Sequence, residues 1–153
     1  MRRTMALFLL ALSALAQPVA AVERQGAQTQ AAEAQTAEAQ AVQAQAIEER
    51  AAIEVLIVRH AKTHSLPEAL VRRVIRRESN FNPRAVYRGN YGLMQIRLGT
   101  ARALGYRGSA EGLLDPATNM TYGMPYLAGA YRAAHGDEAR TLVLYSRGYH
   151  DAH

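Results

Sequence analysis

Apolar residues recur through the second two-thirds of the chain at spacings of three and four, the period of an α-helix seen from one side. In IEERAAIEVLIVRHAKTH they stand at Ile47, Ala51, Val55 and Val58, with Ile53, Leu56 and Ile57 widening the face, which predicts an amphipathic helix over 47–64. Ser65 is placed to cap the next helix and Pro67 suits its first turn; that helix runs to about Glu78, before Asn82-Pro83 stops it. The stretch VYRGNYGLMQIRLGTARALGYRG carries glycines at 89, 92, 99, 105 and 108 and yields one short helix, Thr100 to Leu104, closed by Gly105. Asp115-Pro116 then opens a helix whose stripe is Met120, Met124, Leu127, Tyr131 and Ala134, ending at Gly136, with Pro125 expected to kink or split it. Asp137 caps a last helix with Ala139, Leu142, Val143 and Ser146 on one face, ending at Gly148. No segment alternates with period two, so the module is predicted to be all-α.

Ahead of it the pattern changes twice. MRRTMALFLLALSALAQPVAAV places Arg2 and Arg3 before an apolar run from Met5 to Ala16, followed by small residues. This is the pattern of a secretory signal peptide, with cleavage after Ala16 or Ala21, and the run is short for a membrane span. QGAQTQAAEAQTAEAQAVQAQA, residues 25–46, is almost wholly Ala, Gln, Glu and Thr, with Val42 its one sizeable apolar residue. Such a segment favours helix but has nothing to build a core with, so it is expected to be a tether without chemistry. Three regions follow: a signal peptide over 1–21, a low-complexity linker over 22–46 and a functional domain over 47–153.

One position in the periodic pattern is chemically odd. In VRRVIRRESNFNPRA, residues Val71, Val74, Ile75 and Glu78 fall at i, i+3, i+4 and i+7, which puts a carboxylate on the apolar stripe. Arg72, Arg73, Arg76 and Arg77 stand off that stripe, and none is three or four residues from Glu78. A carboxyl removed from water without a cation has its pKa raised and becomes a general acid near neutral pH. The alternative is that Glu78 pairs with an arginine from another element.

Charge and composition narrow the partners. Residues 47–153 hold 15 basic against 10 acidic residues, and all but one of the basic ones are arginine, so the module carries the chain's whole net charge of +5. That balance suits an anionic partner, which for an exported protein means a carboxylate-bearing glycan, lipopolysaccharide or a membrane face rather than nucleic acid. The chain has no cysteine, hence neither disulfides nor a thiolate nucleophile. His60 and His64 are four apart, but His135, His150 and His153 supply no third ligand at metal spacing, and no cofactor or metal is expected. Ser146 has no nucleophile-elbow context. Eight tyrosines and no tryptophan are compatible with a glycan groove, since tyrosine offers a flat apolar face and a polar tip. In GLMQI, Gly92 allows close backbone approach and Gln95 both donates and accepts, whereas Leu93, Met94 and Ile96 suit a core as well as a contact surface.

Three motifs in order, RRESNFNPRA, GLMQIRLGTARALGY and LLDPATNMTYGMPYLAGAY, resemble the catalytic domain of soluble lytic transglycosylases, relatives of goose-type lysozyme. The resemblance covers about Ile47 to Gly148. It implies a lysozyme-like helical fold that cleaves the MurNAc-GlcNAc bond of peptidoglycan glycan strands. By the same resemblance Glu78 occupies the catalytic position and Ser79 its serine neighbour. Gly92, Leu93, Met94 and Gln95 match the groove motif that contacts glycan, and Tyr145 the tyrosine near the glutamate. Two departures stand out: Arg97-Leu98 replaces Met-Pro after the groove motif, and Leu144-Tyr145-Ser146-Arg147-Gly148 replaces Ala-Tyr-Asn-Ala-Gly. By the same resemblance Arg97 and Ser146 are expected on the substrate side, with Arg97 predicted to be a groove cation that contacts the carboxylates of the lactyl group or stem peptide.

A standard glycosidase needs two carboxylates about 5 Å apart for retention or about 6.5–9.5 Å for inversion. No Asp or Glu occurs between Glu78 and Glu111, which favours chemistry with a single acid and an assisting substrate group. The resemblance implies a 1,6-anhydromuramoyl product made without water. Alternatives are a hydrolytic muramidase of the same fold, a non-catalytic peptidoglycan-binding scaffold of an envelope-spanning complex, and a basic membrane-active protein. An exported chain in the periplasm or cell envelope, with no integral membrane segment after processing, is expected.

Overall fold

The computed structural model describes residues 17–148, with side chains at Gln28 and from Gln30 onward. The apolar run from Met5 to Ala16 that suggests a signal peptide lies outside the described residues, as do His150 and His153. The chain divides into two units, Met1–Ala46 and Ile47–His153, each taken by itself below. Among the described residues no helix is long and apolar enough to cross a membrane.

Helix α1 spans Gln17–Thr63. Its portion in the first unit is the Ala/Gln-rich segment, helical because Ala, Gln and Glu lose little on entering a helix. Every side chain described there is exposed, Val42 included. In the second unit α1 has two candidate apolar rows. The broader predicted row of Ile47, Ala51, Val55 and Val58 faces solvent, with Val55 59 % exposed. Ile53, Ile57 and Ala61, at i, i+4 and i+8, enter the core instead. The outer row, with Ile47 as well as two valines, offers no less apolar area, so packing against the rest of the domain and not composition decides which row turns inward.

Helix α2 (Glu68–Ser79) buries Leu70, Val71, Val74 and Ile75 completely. Each contributes about 1.5–3 kcal/mol through loss of apolar surface to water. Its N-cap is Pro67 and no side chain caps it; the predicted cap, Ser65, sits in the preceding turn at φ 53°. The C-terminus turns sharply, because both Asn80 and Phe81 adopt left-handed φ, and the Arg50 guanidinium of α1 lies 3.3 Å over the Phe81 ring.

The glycine-rich stretch is not wholly irregular. Val86–Tyr87 (β1), Asn90–Tyr91 (β2) and Ile96–Arg97 (β3) form an antiparallel sheet in the order β1-β2-β3. Strands of two residues are too short to show a period of two, which is why the pattern gave no warning of them. Arg88 and Gly89, both at positive φ, make the tight β1–β2 turn.

Helix α3 (Leu98–Ala103) and a 3₁₀ turn (Glu111–Leu114) lead to α4 (Pro116–Ala133), whose Asp115 cap accepts from Thr118 N–H at 2.7 Å. Pro125 does not split α4. The carbonyl its missing N–H would have reached belongs to exposed Thr121, where water can satisfy it. Helix α5 (Glu138–Arg147) is capped by Asp137, which accepts from Arg140 N–H, and packs against α4. Its buried residues are Thr141 and Tyr145, so the predicted face of Ala139, Leu142, Val143 and Ser146 is largely the outer one. The core holds α2, the inner face of α4 and the buried rows of α1 and α5 together.

Candidate active site

Glu78 is the penultimate residue of α2, one turn beyond buried Val74 and Ile75. Continuing that stripe leaves its carboxyl half-buried. Among the described residues it makes no ion pair. Arg72 is taken by Glu54 and Glu68, Arg73 by Glu138, and Arg76 and Arg77 are exposed. Burial raises the Glu78 pKa, and the Arg77 charge offsets only part of that rise. The carboxyl is thus biased toward its protonated, proton-donating form.

The residue after it ties the helix end to the glycine-rich loop. Ser79 Oγ lies 2.8 Å from Leu93 O and 3.2 Å from Ile75 O, so its hydroxyl donates within the protein. Tyr145 of α5 donates from its phenol to Met94 O at 2.8 Å and is pinned edge-on to Tyr126, with ring centroids 5.2 Å apart. Burial, the neighbouring Glu78 charge and Tyr126 raise the Tyr145 pKa well above the usual value, so it remains a neutral phenol. Adjacent carbonyls of one loop therefore anchor the serine beside Glu78 and the tyrosine whose ionisation Glu78 opposes.

Residues expected to line the groove divide into two kinds. Leu93 and Met94 are fully buried, so their side chains belong to the core and offer no surface to a ligand. Gln95, at φ 47°, spends its amide N–H groups on Ala85 O and Gly92 O, each at 3.0 Å, holding its own loop closed. Its side-chain oxygen is the part left for a ligand. Gly92 is required twice over: φ is +72°, and a Cβ there would lie 2.3 Å from Asn119 Nδ2 and 2.4 Å from Leu113 O. Arg97 is exposed on β3, and its side chain makes no hydrogen bond or ion pair among the described residues. Ser146 is exposed, with its hydroxyl turned back onto Val143 O at 3.0 Å. No hydrogen bond joins it to Glu78 among the described residues.

Asn119 went unnoticed in the sequence. It is fully buried on α4. Its Oδ1 accepts from Met94 N–H at 2.9 Å, and its Nδ2 donates to Tyr91 O at 2.8 Å and Leu113 O at 2.7 Å. One side chain thereby fixes the loop that Ser79 and Tyr145 also grip. The available signal was the one that exposed Glu78, a polar residue in a buried helical row, here Asn119, Gly123 and Leu127.

The family model of the transglycosylase SLT domain matches residues 55–152. The chain belongs to that family. Its helical fold is similar to that of the 70 kDa soluble lytic transglycosylase SLT70 from Escherichia coli, at 29 % identity and a TM-score of 0.56 over 61 % of this chain. A second structure, the 70 kDa soluble lytic transglycosylase in complex with bulgecin A, is similar at 30 % identity, TM-score 0.56 and the same coverage. In both cases the likeness covers 16 % of a much longer chain.

Other candidate chemistry is sparse. No cluster of three or more His, Asp or Glu side chains that could hold a metal exists among the described residues. His60 and His64 stack at 6.2 Å, and burial lowers the pKa of both. Glu111 is exposed at the start of the 3₁₀ turn. A hollow of about 420 Å³ is lined by Glu54, Val55, Val58 and Arg59, all on α1, and includes none of the residues gathered around Glu78. The contacts of Ser79, Tyr145 and Asn119 converge on the backbone at Leu93 and Met94, and Ser79 follows Glu78 at the end of α2.

Proposed function

We propose that the domain over 47–153 cleaves the β-1,4 bond between MurNAc and GlcNAc in peptidoglycan, without water, using Glu78 as its single acid and base. The observation that supports this reading most directly is a half-buried carboxyl without an ion pair among the described residues, followed in α2 by the serine that, with Tyr145, holds the loop. Membership of the family supplies the substrate class.

In the first step protonated Glu78 gives its proton to the glycosidic oxygen as the bond from that oxygen to the muramoyl C1 breaks, while the N-acetyl oxygen closes onto C1. In the second step the muramoyl 6-hydroxyl attacks C1, the N-acetyl group leaves, and the Glu78 carboxylate takes the hydroxyl proton. Glu78 ends protonated, one C–O bond has been exchanged for another, and the product is a 1,6-anhydromuramoyl end. The absence of any Asp or Glu from 79 to 110 leaves this segment without a second carboxylate to serve as nucleophile or as a base for water. In this reading the Gln95 oxygen and the Arg97 guanidinium meet the substrate.

The rest of the chain fits export. Residues 1–21 act as the signal, and residues 22–46 serve as a polar spacer of roughly 1.5 Å per residue where helical. The test is to incubate the purified chain, and its Glu78→Gln variant, with peptidoglycan sacculi and weigh the released fragments. Anhydro ends that vanish with Glu78→Gln are expected. Fragments one water heavier would make the protein a muramidase, and binding without any release would make it a scaffold.

A further inference from the structure

Between Ser79 and Ala110 the chain holds five arginines, at 84, 88, 97, 102 and 107, and no aspartate or glutamate. Elsewhere in 47–153 ten basic residues balance ten acidic ones, so the whole +5 resides in this one segment. Every ion pair among the described residues lies outside it, on Arg50, Arg72 and Arg73. Uncompensated like charge opposes compaction, and its use is to attract an anion.

The sheet arranges part of this charge. Its register opposes Tyr87 to Asn90 and Asn90 to Arg97, so these three side chains share one face. The other row is Val86, Tyr91 and Ile96, with Ile96 buried beside Gly123 of α4. The Tyr87 row therefore looks away from the core; Tyr87 is 61 % exposed and Arg97 is exposed. Arg88, at the hairpin tip, lies 5.0 Å over the Tyr87 ring. Strands sit about 4.8 Å apart, so the row spans roughly 10 Å, the length of about three residues of extended peptide. Arg97 follows Gln95 by two residues, on the loop that Ser79 ties to the end of α2.

We propose that Tyr87, Asn90 and Arg97 form a subsite for the acidic peptide carried by the muramoyl residue, an inference that rests on the peptidoglycan reading above. Arg97 pairs with a peptide carboxylate through its planar fork. Asn90 already donates from Nδ2 to Tyr87 O at 3.0 Å, which leaves its Oδ1 to accept a peptide N–H. The Tyr87 ring supplies a flat apolar surface to the peptide stem. The enzyme accordingly selects glycan that still bears its peptides. A phosphate polymer would satisfy the charge but would not use the amide or the ring.

The test compares peptide-bearing glycan with the same glycan stripped of its peptides by an amidase. Turnover is measured with the wild type, Arg97→Met, Tyr87→Ala and the double variant. Binding is measured by cosedimentation in the Glu78→Gln background. Arg140→Met, on α5 and without a side-chain partner among the described residues, controls for a simple loss of charge. We expect the wild type to favour peptide-bearing glycan, and the double variant to lower that preference by about threefold to tenfold, with Arg140→Met leaving it unchanged. An unaltered ratio in the double variant, or an equal fall in Arg140→Met, overturns the proposal. So does binding that polyphosphate displaces better than poly-glutamate of equal charge. If the wild type cleaves neither glycan, the catalytic reading fails, and the binding ratio still judges the subsite on its own.

Discussion

Replacing Asn119 by leucine removes three hydrogen bonds at once while keeping the branched shape and heavy-atom count of the side chain. Met94 N–H, Tyr91 O and Leu113 O lose partners at 2.9, 2.8 and 2.7 Å, around a residue with no solvent exposure. An orphaned buried backbone group costs about 1–3 kcal/mol, so the gross loss is about 3–9 kcal/mol, and local shifts bring the net to about 3–6. Against a typical total of about 5–15 kcal/mol this is a large share of the stability. Urea denaturation of the full chain reads it: at a slope of about 2 kcal/mol per molar, a loss of 3 kcal/mol moves the midpoint down by about 1.5 M. Asn119→Ala gives the sharper comparison. It leaves space that water can occupy and use to bridge the three groups, so alanine is expected to be milder than leucine. A midpoint shift below about 0.5 M for Asn119→Leu, or leucine milder than alanine, would show that packing rather than polar satisfaction holds the loop.

Three further outcomes follow from Glu78 and Tyr145. Because burial raises the folded-state pKa of Glu78, the stability it contributes is complete below the unfolded pKa of about 4.3 and is lost as pH rises through the folded value. Glu78→Gln is therefore expected to melt higher than wild type at neutral pH and to lose that advantage near pH 4; the reverse trend in a thermal melt series would refute the assignment of burial as the cause. On the same grounds turnover should fall on the alkaline side as the acid form is depleted, which a pH–rate profile measures. Tyr145→Phe leaves Met94 O without its donor inside the core and is expected to cost about 1–3 kcal/mol in denaturation, together with a loss of turnover from the loosened loop.

Local signals carried most of the fold. Asp115 and Asp137 cap the helices that their chemistry predicts, the apolar row of α2 is buried as its period requires, and Glu78 sits at the edge of that row. These features depend on neighbours three or four residues apart, so the amino-acid sequence alone determined them. Tertiary structure settled the competitions between equivalent local patterns. α1 offered two apolar rows and α5 two faces, and only packing against the rest of the domain decided that Ile53, Ile57, Thr141 and Tyr145 turn inward. The same holds for the loop at the site. Ser79, Gln95, Asn119 and Tyr145 each look like free polar groups in the sequence, yet their hydrogen bonds run to backbone atoms 3 to 51 residues away. A long-range bond leaves no period behind, because its partner is fixed by the fold and not by spacing along the chain.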